Sequence, residues 1–321
     1  MRAPGAVPPL SGPVRITPAM LPNEANADFK DSSFFRRFDR LPSPAEVQAQ
    51  ARAQHLQGKS VDKRRGFSAD LDFYKPLPAV FESLGLFVKW GGAVSIAEGQ
   101  CLYAINHFLR GFVPVPEIYG WRTEKSHVYI YMEALEGQTL EKMWDTMNDN
   151  QRNAICQQLK ISFDNLRQLE QCPKDRFIGN INQSNFFDRA INVQYQAESG
   201  PFSSVKEFHD WFSFLCRRPM PDPYSVNFDW IRDQLPDDAA IKFTHGDLHR
   251  SNIIVKLTPQ PHVVGIIDWE QSGWLPEYWE ERKAIFTTFQ WKEWASTYLP
   301  KILQSYKNTE EAWGFFTEGV V

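Results

Sequence analysis

Cysteine is sparse in this chain of 321 residues. Its four residues, Cys101, Cys156, Cys172 and Cys216, lie far apart and form no C-x-x-C pair. That pattern argues against a zinc ribbon or a disulfide framework and predicts reduced thiols. Long apolar runs are missing as well. No stretch reaches the ~18 apolar residues that a membrane span requires. The opening MRAPGAVPPLSG has no apolar core of the kind a secretory signal carries. The expectation is a soluble cytoplasmic protein without a membrane partner. Positive charge is not in excess: 35 Lys and Arg stand against 39 Asp and Glu, for a formal net charge of -4. A basic footprint for nucleic acid is therefore absent. Neither an internal repeat nor a long low-complexity tract is visible.

What is present is an ordinary globular composition, 42% hydrophobic and 23% charged. It excludes wholesale disorder. The length suits two domains, or one domain with two lobes. It also suffices for a normal core without covalent staples.

Six prolines between positions 4 and 22 break any early helix. Residues 1–42 are read as a largely irregular extension, and residues 1 to about 30 within it as either a mobile tail or an arm laid on the surface. Ser43, Pro44 and Glu46 then spell an N-cap, a first-turn proline and a capping box, which predicts a helix running to about Gln57 with Gly58 as its stop. Residues 78–90 read as two short strands with a tight turn at Leu84-Gly85. Helical spacing returns from Ser95 to Leu109, and HVYIYMEAL reads as a strand. Beyond Thr139 the chain is mostly helical. Ile155, Leu159, Phe163, Leu166 and Leu169 form one stripe of a long helix that Pro173 closes. IKFTHGDLHRSNIIV and HVVGIIDWE read as short strands around a loop. The domain boundaries follow: 1–42 extension, 43–135 a small strand-containing part with its preceding helix, 136–321 a larger helical part.

Four features carry chemistry. They are the loop His245-Gly246-Asp247-Leu248-His249-Arg250-Ser251-Asn252, Asp268 in IIDWE, Lys89 in LFVKW, and Glu98 nine residues after Lys89. One carboxylate that accepts a proton, plus an amide and a second carboxylate that hold Mg²⁺, is what phosphoryl transfer uses. Hard oxygen donors suit that ion. A strand lysine paired with a helix glutamate adds a cation for phosphates.

On these residues the sequence resembles the aminoglycoside phosphotransferase family of small-molecule kinases, and within it a fungal branch. The resemblance spans about Pro78 to Ala284. HGDLHRSN is similar to the family's H-G-D-x-x-x-x-N loop, and IIDWE to its metal-binding segment. VPVPEIYGW, YIYMEALEGQTLEKMW and WLPEYWE resemble the same branch.

The resemblance implies an α+β, protein-kinase-like two-lobe fold. It has a small antiparallel-sheet N-lobe with one helix and a larger, mostly α-helical C-lobe, with ATP in the cleft. It implies ATP and Mg²⁺ as cofactors and a small-molecule hydroxyl as acceptor. Asp247 is then the catalytic base, Asn252 and Asp268 the Mg²⁺ ligands, Lys89 the phosphate contact and Glu98 its partner. Met132 is the gatekeeper, and the Glu133 carbonyl and Leu135 amide bond adenine. His245 structures the loop. Two departures stand out. No G-x-G-x-x-G precedes Lys89, since PAVFESLG offers only Gly85. The family's usual aspartate beyond the metal segment is replaced within GWLPEYWE, where Glu277 or Glu280 takes that structural role.

Two rivals are weighed. A catalytically inactive pseudokinase would keep the fold for binding; the missing glycine loop favours it and the complete five-residue set opposes it. A zinc hydrolase built on His245, Asp247 and His249 lacks a further ligand cluster. The aromatic residues between 202 and 230 are read either as core or as part of an acceptor site. Asp222, Asp229, Asp237 and Asp238 are read as surface residues.

Overall fold

The structure is a computed structural model and describes residues 8–58, 76–191, 193–288 and 291–319. In chain order its strands are β1 (Val14–Arg15), β2 (Ala27–Asp28), β3 (Ala79–Phe81), β4 (Leu86–Gly91), β5 (Ile118–Glu124) and β6 (His127–Glu133). They continue with β7 (Gln138–Thr139), β8 (Leu169–Glu170), β9 (Ile241–Thr244), β10 (Ile253–Lys256), β11 (His262–Ile266) and β12 (Gly273–Pro276). The longer helices are α1 (Pro44–Leu56), α2 (Ile96–Phe108), α3 (Asp149–Leu166), α4 (Val205–Leu215), α5 (Trp279–Phe286) and α6 (Glu310–Glu318).

The chain divides into two units. One comprises residues 21–110 and 115–137, the other residues 1–20, 111–114 and 138–321. The first is built on a five-stranded antiparallel sheet in the order β2-β5-β6-β4-β3. Its central strands are rich in β-branched and aromatic residues, which fit a pleated, half-buried surface. Register sets Lys89 opposite Ile130 and Phe87 opposite Met132. Helix α1 starts as its sequence dictates. Ser43 Oγ accepts from the Glu46 amide at 3.3 Å, and Glu46 Oε2 accepts from the Ser43 amide at 2.7 Å. Arg40 also pairs with Glu46, and these bonds pull the Glu46 carboxyl down to about 2. From α1, Gln54 Oε1 accepts the Val80 amide at 2.9 Å and Gln50 Nε2 donates to the Val80 carbonyl at 2.7 Å. Helix α2 comes close to β5 at Gly99, where a Cβ would stand 3.0 Å from the Trp121 ring.

Residues 21–42 are part of this unit. Phe34 and Leu41 are buried with Val47, Leu86, Val88 and Tyr131 in its core. The Trp121 indole donates to the Glu24 carbonyl at 2.8 Å, and Arg122 pairs with Asp28. This stretch is a packed arm, not a mobile tail.

In the second unit β1 runs parallel to β8, β10 lies between β7 and β11, and β9 pairs with β12. Helix α3 opens on a capping box between Asn148 and Gln151, and its buried stripe is Ile155, Leu159, Phe163 and Leu166. Here the sequence reading needs a correction. Leu169 belongs to β8, not to the helix, and Pro173 does not end α3. The chain turns at Asn165–Gln168 because pairing with β1 supplies the backbone bonds that a further helical turn would have made.

Aromatic side chains of α4, α5 and α6 form the larger core, with Phe208, Phe212, Trp279, Trp313 and Phe316 all buried. Phe202 joins them, whereas Tyr224 and Trp230 are largely exposed. In α4, His209 is fully enclosed. Its Nδ1 lies 2.9 Å from Asp237 Oδ1 and its Nε2 lies 2.6 Å from the Tyr278 hydroxyl. Arg232 bridges Asp237 at 2.7 Å and Asp210 at 2.9 Å. Asp237, read from sequence as a surface residue, does lie at the surface and there also anchors a buried imidazole.

Burial holds the His209 imidazole down at about 4, outweighing the upward pull of Asp237. The unfolded chain, with histidine near ~6.5, therefore binds a proton that the folded chain refuses as pH falls. This contribution to stability is present above pH ~6.5 and is lost as pH drops toward ~4. Between pH ~7.5 and ~5 the wild type should lose about 2 kcal/mol more stability than His209→Gln, measured by urea unfolding. Equal losses in both proteins would refute this assignment.

Candidate active site

Strand β4 presents Lys89 to the first turn of α2, where Glu98 sits. The Lys89 ammonium donates to Glu98 Oε1 at 2.8 Å, with the glutamate side chain 2% exposed. The spacing works because β4 ends at Gly91 and Ser95 caps α2 by accepting from the Ala97 amide. At the end of β6 lie Met132, which is buried, then Glu133 and Leu135. The Glu133 amide donates to the Glu117 carbonyl of the chain entering β5, and the Ala134 amide to the Gly85 carbonyl of the β3–β4 turn, each at 2.9 Å. Successive amides in extended chain point to opposite sides.

The loop from β9 to β10 carries Asp247 and Asn252 in the other unit. Asn252 Nδ2 donates to Asp247 Oδ2 at 3.0 Å and to the Asp247 carbonyl at 3.1 Å. Both residues are 7% exposed. Burial raises the Asp247 carboxyl above its ordinary range, and the Asp268 charge adds to the rise. Nearby His245, Lys283 and Arg189 counteract it.

Two anchors fix the loop. His245 Nδ1 accepts from the Asp247 amide at 3.2 Å, and its Nε2 lies 3.1 Å from the Ile267 carbonyl. Both ring nitrogens are spent on backbone, which disfavours His245 as a zinc ligand and supports its structuring role. Glu280, at the start of α5, accepts the His245 amide at 2.6 Å and the Gly246 amide at 3.3 Å. Sequence alone left Glu277 and Glu280 as alternatives; the structure assigns the loop anchor to Glu280. Glu277 instead accepts the Ala240 amide and the Tyr306 hydroxyl. Gly246 has φ +77°, and a Cβ there would lie 2.5 Å from the Gln271 carbonyl oxygen, so only glycine fits.

Asp268 follows β11 with φ 66°, an uncommon conformation for a non-glycine residue and a form of strain that clusters at functional sites. It is stapled to the β9–β10 loop through its neighbour: the Ile267 amide donates to the Asn252 carbonyl at 2.9 Å while the Ile267 carbonyl faces His245. Glu270 stands close by, with one carboxylate oxygen within 4.8 Å of one from Asp268. The donor set suits Mg²⁺. The Asp268 carboxylate and the Asn252 amide oxygen, whose nitrogen is engaged with Asp247, are both hard oxygens.

Several residues of this region escaped sequence reasoning. Asp188 and Lys283 form a wholly buried pair at 2.5 Å. Asp188 also accepts from the Trp279 indole at 2.8 Å and the Ala190 amide at 2.7 Å. Gln271 Oε1 accepts both Lys283 at 3.0 Å and the Arg189 amide at 2.8 Å. Arg250 of the motif lies between two indoles, 5.0 Å from Trp144 and 4.6 Å from Trp291. No local pattern announces the Asp188–Lys283 pair or the Arg189–Gln271 bond, because their members are 95 and 82 positions apart.

The structure thus brings together Lys89 with Glu98 in one unit, and Asp247 with Asn252 and the Asp268 segment in the other. The family model of the phosphotransferase enzyme family, APH, matches residues 97–313. That is more than half of the chain, and the protein belongs to this family. It is a phosphotransferase by family, and its fold combines α-helices with antiparallel sheets.

Among solved structures, an aminoglycoside-3'-phosphotransferase of type VIII is similar at 15% identity, covering 86% of this chain and 99% of that one, with a TM-score of 0.48. Aminoglycoside phosphotransferase APH(4)-Ia is similar at 14% identity, covering 85% and 99%, with a TM-score of 0.44. APH(3'')-Id from Streptomyces rimosus is similar at 13% identity, covering 85% and 98%, with a TM-score of 0.43. No curated protein matches. Among the described residues, no helix is long and apolar enough to cross a membrane.

Proposed function

We propose that this phosphotransferase moves the γ-phosphate of ATP, with Mg²⁺, to a hydroxyl of a small molecule. The observation that carries the reading is the buried Asp247 carboxylate, held by the Asn252 amide and joined through Ile267 to the loop of Asp268. Asp247 would orient the acceptor hydroxyl and take its proton. Its raised pKa makes it a better proton acceptor than an ordinary carboxylate. Asn252 keeps that carboxylate aimed while its own amide oxygen, with Asp268, would hold Mg²⁺. The ion, when bound, supplies charge neutralisation to the phosphates.

Lys89 would contact the phosphates, with Glu98 holding its stem in place. Adenine would bond to the Glu133 carbonyl and the Leu135 amide beside Met132. The short β3–β4 turn at Gly85 would stand where a glycine-rich loop otherwise covers the phosphates.

Melting measured with ATP and Mg²⁺ tests the reading. Ligand at 100 times its Kd stabilises the native state by about 2.7 kcal/mol, so the wild-type melting temperature should rise by several degrees. Asp268→Ala should melt normally without ligand and lose the Mg²⁺-dependent part of the rise, as calorimetric titration would also report. Absence of any shift in the wild type at millimolar nucleotide would reject the assignment in favour of a non-catalytic binding protein.

A further inference from the structure

The catalytic unit gathers negative charge where an anion has to react. Asp247, Asp268 and Glu270 are all carboxylates, and a triphosphate approaching them meets repulsion. Lys283, a buried cation of this region, is consumed by Asp188. Among the described residues, Arg189 also lies at this place. Arg189 pairs with Glu270, and its field also reaches Asp268 and Asp247.

The arginine is not there by the chance of a flexible surface. Its own amide is bonded to Gln271, three residues after Asp268. The residue before it, Asp188, is wholly buried and locked by Lys283, Trp279 and the Ala190 amide. The backbone at 188–190 is thereby tied to the metal segment and to α5. From this fixed base the Arg189 side chain, 51% exposed, reaches Glu270, whose side chain is 8% exposed. A guanidinium has five N–H donors in a rigid fork, and the Glu270 bond uses a single nitrogen. The open half of the fork is available to oxygens arriving from solvent.

We infer that Arg189 is a catalytic residue whose guanidinium binds the oxygens of the transferring phosphoryl group, with Glu270 holding it in position. The inference rests on the phosphotransferase reading above and adds to it a residue outside both sequence motifs. Phosphoryl transfer spreads charge over three equatorial oxygens, and a planar fork meets two of them at once. No bond is made or broken by Arg189; it lowers the cost of the charge that the transfer places beside Asp247 and Asp268.

The probes are ATP and ADP, titrated calorimetrically with Mg²⁺ into the full chain. A hydrogen bond to a charged group corresponds to roughly a 10-fold to 100-fold change in affinity. Arg189→Ala should weaken ATP by about that factor and leave ADP unchanged, so the preference for ATP collapses. Arg189→Lys should recover part of it as a point charge without the fork. Glu270→Gln, which keeps the arginine, should retain most of the preference. Melting without ligand should be the same for wild type and the two Arg189 variants, since that side chain is half exposed. An unchanged ATP-to-ADP ratio in Arg189→Ala overturns the inference, as does an equal fall for both nucleotides, which would mark a structural prop. Matching losses in Glu270→Gln and Arg189→Ala overturn it too, because the arginine would then act only through the glutamate. Wild-type protein that binds neither nucleotide defeats the phosphotransferase reading itself, a result distinct from a failure confined to Arg189.

Discussion

Asp247→Asn is expected to lower kcat by at least ~10²-fold while the protein stays folded. The substitution keeps the shape of the side chain and an oxygen for the Asn252 amide, which now lies 3.0 Å from Oδ2. What it removes is the lone pair that accepts the hydroxyl proton. Stability should hold or rise, because a carboxylate 7% exposed and flanked by the Asp268 charge is costly to bury. The measurement is ATP turnover with any hydroxyl acceptor that stimulates the wild type, alongside a melting curve. A screen of hydroxylated small molecules supplies that acceptor. Full turnover in the asparagine variant would remove Asp247 from the role of base.

The largest stability effect is expected from Lys283→Met. The Asp188 carboxylate is wholly enclosed, and its ammonium partner is 2.5 Å away. Removing the cation leaves a buried charge with only the Trp279 indole and the Ala190 amide as donors. Breaking such a pair costs roughly 3–5 kcal/mol. For a chain of this size that corresponds to a fall in melting temperature on the order of 10 °C. Combining Lys283→Met with Asp188→Asn should recover part of the loss, since the amide carries no charge to strand. Should the single variant lose less than about 1 kcal/mol, or the double variant lose the full sum, the pair would not be the anchor described.

The juxtaposition of Asp247 with Asn252 was legible in the sequence because the two residues are nearly contiguous. Asp247 and Asn252 are five apart, and a loop between two short strands is enough to join them. The capping box at Ser43 was legible for the same reason: all its bonds span three residues. Lys89 and Glu98 needed only a strand followed by a helix. The choice between Glu277 and Glu280 depended on which of them α5 turns toward the β9–β10 loop, a matter of tertiary packing. Leu169 continued the apolar stripe of α3 faultlessly and yet lies in β8, because pairing with β1, some 155 residues earlier, outweighed helical propagation. Asp188 finds Lys283 across 95 positions, and Arg189 finds Glu270 across 81. Nothing local marks such partners. The aromatic residues before the catalytic loop were open between packing and recognition, and α4 shows Phe208 and Phe212 spent on the core.

Strand β3 is one of the two edge strands of the five-stranded sheet. An outermost strand offers unsatisfied amides and carbonyls on which a foreign chain can crystallise. At Val80 that invitation is withdrawn, since the two glutamines of α1 already occupy both polar groups. The helix thus serves as a selvage, finishing the border of the sheet so that it does not ravel into adhesion with its neighbours in a crowded solution.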